Sequence, residues 1–265
     1  MFEALQYDFM QNALISGVLV SIAAGIIGSL VVANKITFLA GGIAHSSYGG
    51  IGLAIFLGIP ILFGATVFAV ATAVIIAALT LKSRKRIDAI IGIMWAFGMA
   101  LGIIFVDLTP GYNVDLMSYL FGSIIAVSND DIIYLTILDI FIIGLVIAFY
   151  KQILAVSYDS EFALLRGVNV KFFYTLILIL AALSVVGAIK VVGLILVIAL
   201  LTIPTYMAEI FVKKLSSMMI LSAFLAASFT LIGLIISYYF DISSGASIIV
   251  VGVVSLLISK LLGKK

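Results

Sequence analysis

The amino-acid sequence predicts an all-α membrane protein, a polytopic bundle of helices that crosses the lipid bilayer eight or nine times. Two observations support this fold class. First, 65% of the 265 residues are hydrophobic and only 10% are charged, whereas soluble domains are about half apolar and about a quarter charged. Second, the apolar residues form stretches of about 20, which is the length that a helix needs to cross a bilayer.

The apolar stretches predict nine spans, or eight if the two stretches beside Lys190 form one bent element. The segment 116–127 is apolar but too short to cross, and both of its flanks are acidic, which predicts a short re-entrant or interfacial helix. The nine predicted spans are 11–33, 36–58, 61–81, 89–106, 132–150, 172–189, 191–211, 217–239 and 244–261.

The distribution of charge predicts the orientation of the chain. Lysine and arginine in short loops stay on the cytoplasmic side of a membrane. With the N-terminus outside, nine spans place every one of the 14 basic residues except Lys190 in a cytoplasmic segment. We therefore expect a single transmembrane domain over residues 1–265 in the cell (plasma or inner) membrane, with the N-terminus outside and the C-terminus in the cytoplasm.

The residue types exclude several kinds of chemistry. The chain has no cysteine and one histidine, which excludes disulfides, thiol catalysis and a site with several histidines from one chain. It also lacks a glycine-rich phosphate loop with lysine and a zinc-protease motif. We expect that the chain is not an enzyme, holds no cofactor of its own and binds no nucleic acid.

The longest predicted cytoplasmic loop, 151–171, contains a short predicted helix at 159–166. An aspartate can cap its start, a glutamate suits its first turn and a glycine follows its end. Its small apolar face, formed by Phe162, Leu165 and Ala163, predicts docking in a groove of a soluble partner, and the alternative is a helix that lies on the lipid surface. The residues assigned to this helix are Asp159, Glu161, Phe162, Leu165, Arg166 and Gly167.

The second predicted span contains the sequence LAGGIAHSSYGGIGL at 39–53. Its glycines suit close approach of helices. A histidine inside a membrane is by default a functional hypothesis, and the neutral imidazole of His45 could bind or relay a cation. The alternative is a histidine that donates one hydrogen bond to a neighbouring carbonyl. Ser46 and Ser47 are the polar residues beside it.

Three residues elsewhere in the spans also carry predictions. Pro204 interrupts one backbone hydrogen bond of its helix and predicts a kink. Asp139 lies inside a span and is predicted to face protein, in a hydrogen-bond network rather than in a transport role. Glu209 lies near the cytoplasmic end of its span.

Five segments, in this order, resemble the zinc/manganese/iron permease family of bacterial and archaeal ABC importers. The resemblance runs from about residue 10 to about residue 260. The segments are FLAGGIAHSSYGGIGLA (38–54), RIDAIIGIMWAFGMALGIIF (86–105), SYLFGSIIAVS (118–128), YDSEFALLRGV (158–168) and VVGLILVIALLTIP (191–204), the last followed by SGASIIV (244–250).

The resemblance implies a function. Two copies of the chain would form a pathway for a divalent metal, an extracytoplasmic binding protein would deliver the metal, and two ATPase subunits would bind and hydrolyse ATP to drive alternating access. The family's coupling helix, which contacts the ATPase, matches 158–168. Many members carry an aspartate four residues before the histidine, and here that position is Gly41. The implied pathway residues are Gly41, His45, Ser46 and Ser47.

Two alternatives remain open at this stage. One is an ABC permease for a metal chelate such as cobalamin, haem or a siderophore, although such permeases are generally longer. The other is an ion-coupled secondary transporter, for which Asp139 and Glu209 are the candidate coupling acids. The second alternative leaves the helix at 159–166 without a role.

Overall fold

A computed structural model describes residues 6–81, 86–110 and 124–262 of the chain, and within these ranges the fold is helical, without a strand. This confirms the predicted all-α class. A short 3-10 turn covers Ile124–Ala126. The helices are α1 (Asp8–Ala33), α2 (Phe38–Leu57), α3 (Ile61–Thr80), α4 (Ile87–Asp107), α5 (Asn129–Ala148), α6 (Tyr150–Tyr158), α7 (Ser160–Leu165), α8 (Val170–Phe211), α9 (Leu215–Phe240) and α10 (Ser244–Leu262).

Seven of the helices in the described ranges are long and apolar enough to cross a membrane: α1, α3, α4, α5, α8, α9 and α10. The second predicted span, α2, is not among them, because its glycines, its serines and His45 lower its hydropathy. Yet most residues of α2 are buried, among them Leu39, Ile43 and Ala44, because neighbouring helices cover them. The chain is therefore a multi-pass membrane protein, and α2 is shielded by other helices.

The element α8 contains 42 residues and combines the two spans predicted on either side of Lys190. The break between its halves lies at Gly193, whose dihedral angles, φ 77° and ψ 165°, are not helical. Only glycine adopts this region readily, because it has no Cβ to clash with the backbone. The first half ends beside Lys190, and the second half contains Pro204.

One segment differs from the sequence prediction, and another lies mostly outside the residues that the structure describes. Residues 151–158, predicted as the start of a loop, belong to the helix α6, which buries Ile153 and Val156. Burial of this apolar face explains why the segment is helical and not an open loop. The predicted re-entrant helix at 116–127 falls largely outside the described residues, which resume at Ile124.

The chain divides into two compact units. Unit 1 contains most of α1 and α5, the end of α8 from Gly187 onward, and all of α9 and α10. In unit 1, α1 and α9 run antiparallel, because Ser21 lies 3.3 Å from Thr230 between hydroxyl oxygens while Ser29 lies 3.5 Å from Ser222. Small residues along this contact allow the two helices to approach closely.

The start of α5, also in unit 1, is held by reciprocal hydrogen bonds. The backbone N–H and the hydroxyl of Ser128 donate to Oδ2 of Asp131 at 3.1 and 2.7 Å, and the Asp131 N–H donates back to the Ser128 hydroxyl at 3.3 Å. This is a capping box, with aspartate in place of the usual glutamate or glutamine. Oδ1 of the same carboxylate accepts from the ammonium of Lys190. The ion pair therefore joins the start of α5 to α8 just before the break at Gly193.

We expect Lys190→Met to lower the free energy of unfolding by about 1 kcal/mol, because it leaves a buried carboxylate without its cation while both Ser128 hydrogen bonds remain. The Lys190 side chain is 52% exposed, which keeps the loss small. Thermal unfolding of the purified chain in detergent measures this loss. The matched control is Lys171→Met, an exposed lysine at the start of the same helix. Equal losses in the two variants would show that the ion pair contributes nothing.

Unit 2 contains α2, α3, α4, α6, α7 and the first half of α8 up to Val186. Helix α2 packs against both α3 and α4 through glycines. A Cβ added at Gly98 would lie 2.5 Å from the Cα of Ser46, and one added at Gly102 would lie 2.5 Å from the carbonyl oxygen of Tyr48. Gly50 and Gly64 approach each other in the same way between α2 and α3. Contacts this close require glycine, because any side chain would force the backbones apart.

Two buried polar pairs also hold unit 2 together. The Asn34 side-chain amide donates to the Ser157 hydroxyl at 2.9 Å, which ties the residue after α1 to α6. The hydroxyl groups of Thr80 and Tyr174 lie 3.1 Å apart and join the end of α3 to α8. Both pairs lie near helix ends, where they fix the position of one helix along the axis of its neighbour.

Candidate functional site

His45 lies within α2 and is half-buried. Its Nδ1 atom is buried and has no hydrogen-bond partner in the described part of the chain. The alternative interpretation, a histidine that donates one hydrogen bond to a neighbouring carbonyl, finds no support at this nitrogen. An imidazole nitrogen without a protein partner has a lone pair or a proton available for another group.

The serines beside His45 are committed to their own helix. The Ser46 hydroxyl donates to the carbonyl of Ile43 at 3.0 Å, and the Ser47 hydroxyl donates to the carbonyl of Ala44 at 2.6 Å. Both serines are buried. Their protons are already used, but their oxygens retain lone pairs that can coordinate a cation.

Gly41 stands one helical turn before His45 and is buried. One turn of helix places these two residues on the same face. With glycine at this position, His45 is the one metal-binding side chain on that face of the turn. Among the described residues, no group of three or more histidine, cysteine or acidic residues lies close enough together to hold a metal ion.

The imidazole of His45 stacks on the indole of Trp95, which comes from α4. The ring centroids lie 3.9 Å apart and the ring planes differ by 10°. The Trp95 indole N–H in turn points to the sulfur of Met99 at 3.1 Å. Sequence reasoning missed this pair, although the available signal was simple: Trp95 is the single tryptophan of the chain and His45 is its single histidine.

The short helix predicted at 159–166 is present as α7. The Asp159 carboxylate accepts from the backbone N–H of Phe162 at 2.9 Å, which caps the helix start as predicted. At the end, Gly167 has φ 76°, its N–H donates to Leu164 O at 3.0 Å, and the Val168 N–H donates to Ala163 O at 3.0 Å. This pair of bonds is a Schellman motif, which explains the glycine.

The apolar face of α7 differs from the predicted one. Ala163 is fully buried, so it belongs to the packing of unit 2 and not to the exposed face. Leu164 is exposed in its place, together with Phe162 and with Leu165, which is 86% exposed. The exposed face of α7 is therefore Phe162, Leu164 and Leu165. Glu161 lies in the first turn of the helix, and the Arg166 guanidinium lies 5.2 Å from the centroid of the Phe162 ring.

Pro204 and the two isolated acids belong to unit 1. Pro204 lies within the second half of α8, and the residue with non-helical angles in that element is Gly193. Asp139 is 4% exposed, as predicted for an acid that faces protein, but neither of its carboxylate oxygens has a partner among the described residues, so the predicted hydrogen-bond network is not found there. Glu209 is exposed.

Comparison with known proteins identifies the group to which the chain belongs. The model of the ABC 3 transport family matches residues 6–263. An uncharacterized membrane protein of Synechocystis is 44% identical over 98% of this chain and 92% of its own length. The manganese transport system membrane protein MntC of Listeria monocytogenes is 36% identical over 98% of this chain and 93% of its own.

A solved structure gives the same result. PsaBC from Streptococcus pneumoniae, in complex with Fab, matches with a TM-score of 0.86 and 34% identity over 97% of this chain and 93% of that chain. The predicted resemblance to metal ABC importer permeases is thus confirmed by both sequence and fold. The chain belongs to the ABC 3 transport family.

Proposed function

We propose that the chain is the permease subunit of an ABC importer for divalent metal ions, with manganese as the first candidate and zinc and iron as the others. The observation that carries this proposal is the match to a manganese transport system membrane protein along 98% of the chain. The site agrees in its chemistry, because imidazole is a ligand for several of these ions. Weak binding suits passage, since a tightly held ion would not be released.

In this proposal the metal passes His45, on the face of α2 that also carries Gly41, with Ser46 and Ser47 as neighbouring oxygen donors. One imidazole per chain is too few to hold an ion for long. Two copies of the chain, facing each other across a shared axis, would supply two imidazoles. The metal arrives from an extracytoplasmic metal-binding protein and leaves by alternating access.

The energy for transport comes from partner subunits. We propose that α7, with Asp159 and Gly167 at its ends, inserts the exposed face Phe162, Leu164 and Leu165 into a groove of an ATP-binding cassette subunit. Support comes from the exposure of these three side chains on a short helix that is capped at both ends. ATP is bound and hydrolysed by that partner, and this chain carries the coupling surface.

We further propose that residues 1–265 act as a single permease domain with nine crossings, the N-terminus outside and the C-terminus in the cytoplasm. Contacts within unit 1 support the count. Gly28, near the end of α1, meets Leu201 and Thr205. Asn12, near the start of α1, donates to Asn129 at the start of α5, where Asp131 pairs with Lys190. The second half of α8 therefore runs alongside α1 in the same direction, over ~27 Å, which is enough for a crossing of its own.

The test is uptake of radioactive manganese by lipid vesicles that contain this chain with its ATPase and binding protein. We expect accumulation that requires ATP and disappears when the ATPase is omitted, with competing zinc and iron revealing the preferred ion. Accumulation without the ATPase would indicate a secondary transporter and return attention to Asp139 and Glu209. Uptake of a chelate such as cobalamin, haem or a siderophore, with no uptake of free metal, would indicate the chelate permease.

A further inference from the structure

The single tryptophan and the single histidine of the chain are stacked face to face inside unit 2. A centroid separation of 3.9 Å with nearly parallel planes is closer than the usual range of about 4.5–7 Å for aromatic pairs. Both residues are half-buried. The stack covers one face of the imidazole, so another group can reach this ring through its edge, where the nitrogen lone pairs lie in the ring plane.

The indole is itself fixed in position. Its N–H points to the Met99 sulfur one turn further along α4, and the Phe38 ring lies 5.6 Å from it between centroids. Next to the stack, Gly98 brings α4 against the backbone of Ser46, the residue after His45. The indole is therefore a rigid surface held at a fixed distance from α2.

Histidine ligands in proteins are normally oriented by a second group. The nitrogen that does not bind the metal donates to a carboxylate, a carbonyl or water, and this bond sets the ring orientation. Here the buried Nδ1 of His45 has no such partner in the described part of the chain. The rotation of an imidazole about its χ2 bond is otherwise broad. In this site the indole face restrains that rotation.

We propose that Trp95 is a positioning residue for the transported metal: its indole face orients the His45 imidazole and takes the place of the hydrogen-bonding partner found in other sites. This inference rests on the proposed function, in which His45 meets the metal. It assigns to α4 a part in substrate binding although Trp95 itself does not touch the ion.

The experiment measures manganese binding to the full chain in lipid nanodiscs, from the loss of the electron paramagnetic resonance signal of free Mn²⁺. Trp95→Leu, which removes the stack, should weaken binding about tenfold, the size expected when an aromatic pair is lost. Trp95→Phe keeps an aromatic face and should stay within about threefold of the unmodified chain. His45→Ala should remove the binding.

The matched control is Phe105→Leu. Phe105 on α4 pairs with Phe56 on α2 at 5.7 Å between centroids, so it joins the same two helices at a distance from His45. If Trp95 acts only by packing α4 against α2, Phe105→Leu should weaken Mn²⁺ binding as much as Trp95→Leu does. We expect Phe105→Leu to bind as the unmodified chain does.

Fluorescence provides an independent readout, because Trp95 is the only tryptophan in the chain. Paramagnetic Mn²⁺ should quench its emission with the same dissociation constant as the resonance titration, and His45→Ala should abolish this quenching while Trp95 is still present. The inference is overturned if Trp95→Leu binds Mn²⁺ normally while His45→Ala does not. If His45→Ala also binds normally, the proposed pathway at His45 fails as well, whereas ATP-driven uptake in vesicles tests the importer function separately.

Discussion

Replacing Leu165 with aspartate is expected to abolish ATP-driven metal uptake, while the chain still inserts into the membrane and folds. Leu165 is 86% exposed at the last turn of α7, so the substitution disturbs little within the chain. In the complex, the new carboxylate would be buried in an apolar groove without a partner, which costs several kcal/mol. The measurement is copurification of the ATPase together with vesicle uptake, and we expect both to fall by more than about tenfold.

Asn169→Asp is the matched control for this experiment. It adds the same charge to an exposed site four residues away, outside α7. The Asn169 side chain caps the next helix by accepting from the Phe172 N–H at 3.0 Å, and aspartate caps equally well. Uptake should therefore stay near normal in this variant. Loss of uptake in both variants would indicate a general effect of charge, and normal uptake in Leu165→Asp would remove α7 from the ATPase contact.

A methyl group at Gly102 is expected to force α2 and α4 apart. A Cβ at this position would lie 2.5 Å from the carbonyl oxygen of Tyr48 and 2.8 Å from its carbonyl carbon, and backbone atoms cannot rotate away as a side chain can. Gly102→Ala should therefore cost about 1–3 kcal/mol of folding free energy, the range for overpacked cores, or more. The midpoint of thermal unfolding in detergent measures this loss.

Gly92→Ala provides the comparison on the same helix. A Cβ at Gly92 has nothing within 4 Å, so the methyl group enters open space. Alanine is the better helix former by about 1 kcal/mol, so this variant should be as stable as the unmodified chain or slightly more stable. If Gly102→Ala were as stable as Gly92→Ala, the close approach of α2 and α4 would not be needed for folding.

Much of this architecture could be predicted because it depends on local chemistry. The composition and the length of the apolar stretches show that the chain lies in a lipid bilayer, and a bilayer allows few fold classes. The ends of α7 were predictable because Asp159 and Gly167 act on backbone groups within a few residues of themselves. The family could be predicted because five segments resemble it in the same order along most of the chain.

The rest depends on contacts between residues distant in sequence. The break in α8 was expected beside Lys190, but Lys190 is held by Asp131 and the backbone turns at Gly193, the residue that tolerates the required angles. The stack of Trp95 on His45 joins two helices that the sequence alone does not bring together. Ala163 belongs to the core and not to the docking face because of packing that its small size permits.

The glycine contacts between α2 and α4 limit how the geometry around His45 could change in the proposed transport cycle. Gly42 faces Ile91, Ser46 faces Gly98 and Tyr48 faces Gly102, so the two helices run in the same direction in backbone-to-backbone contact. Two helices in such close contact are expected to move together as one rigid body. His45 and Trp95 are then carried through every conformation without changing their mutual geometry. In the proposed importer, the ring would keep its orientation, and the affinity for the ion would change only when other groups approach the imidazole edge or move away from it.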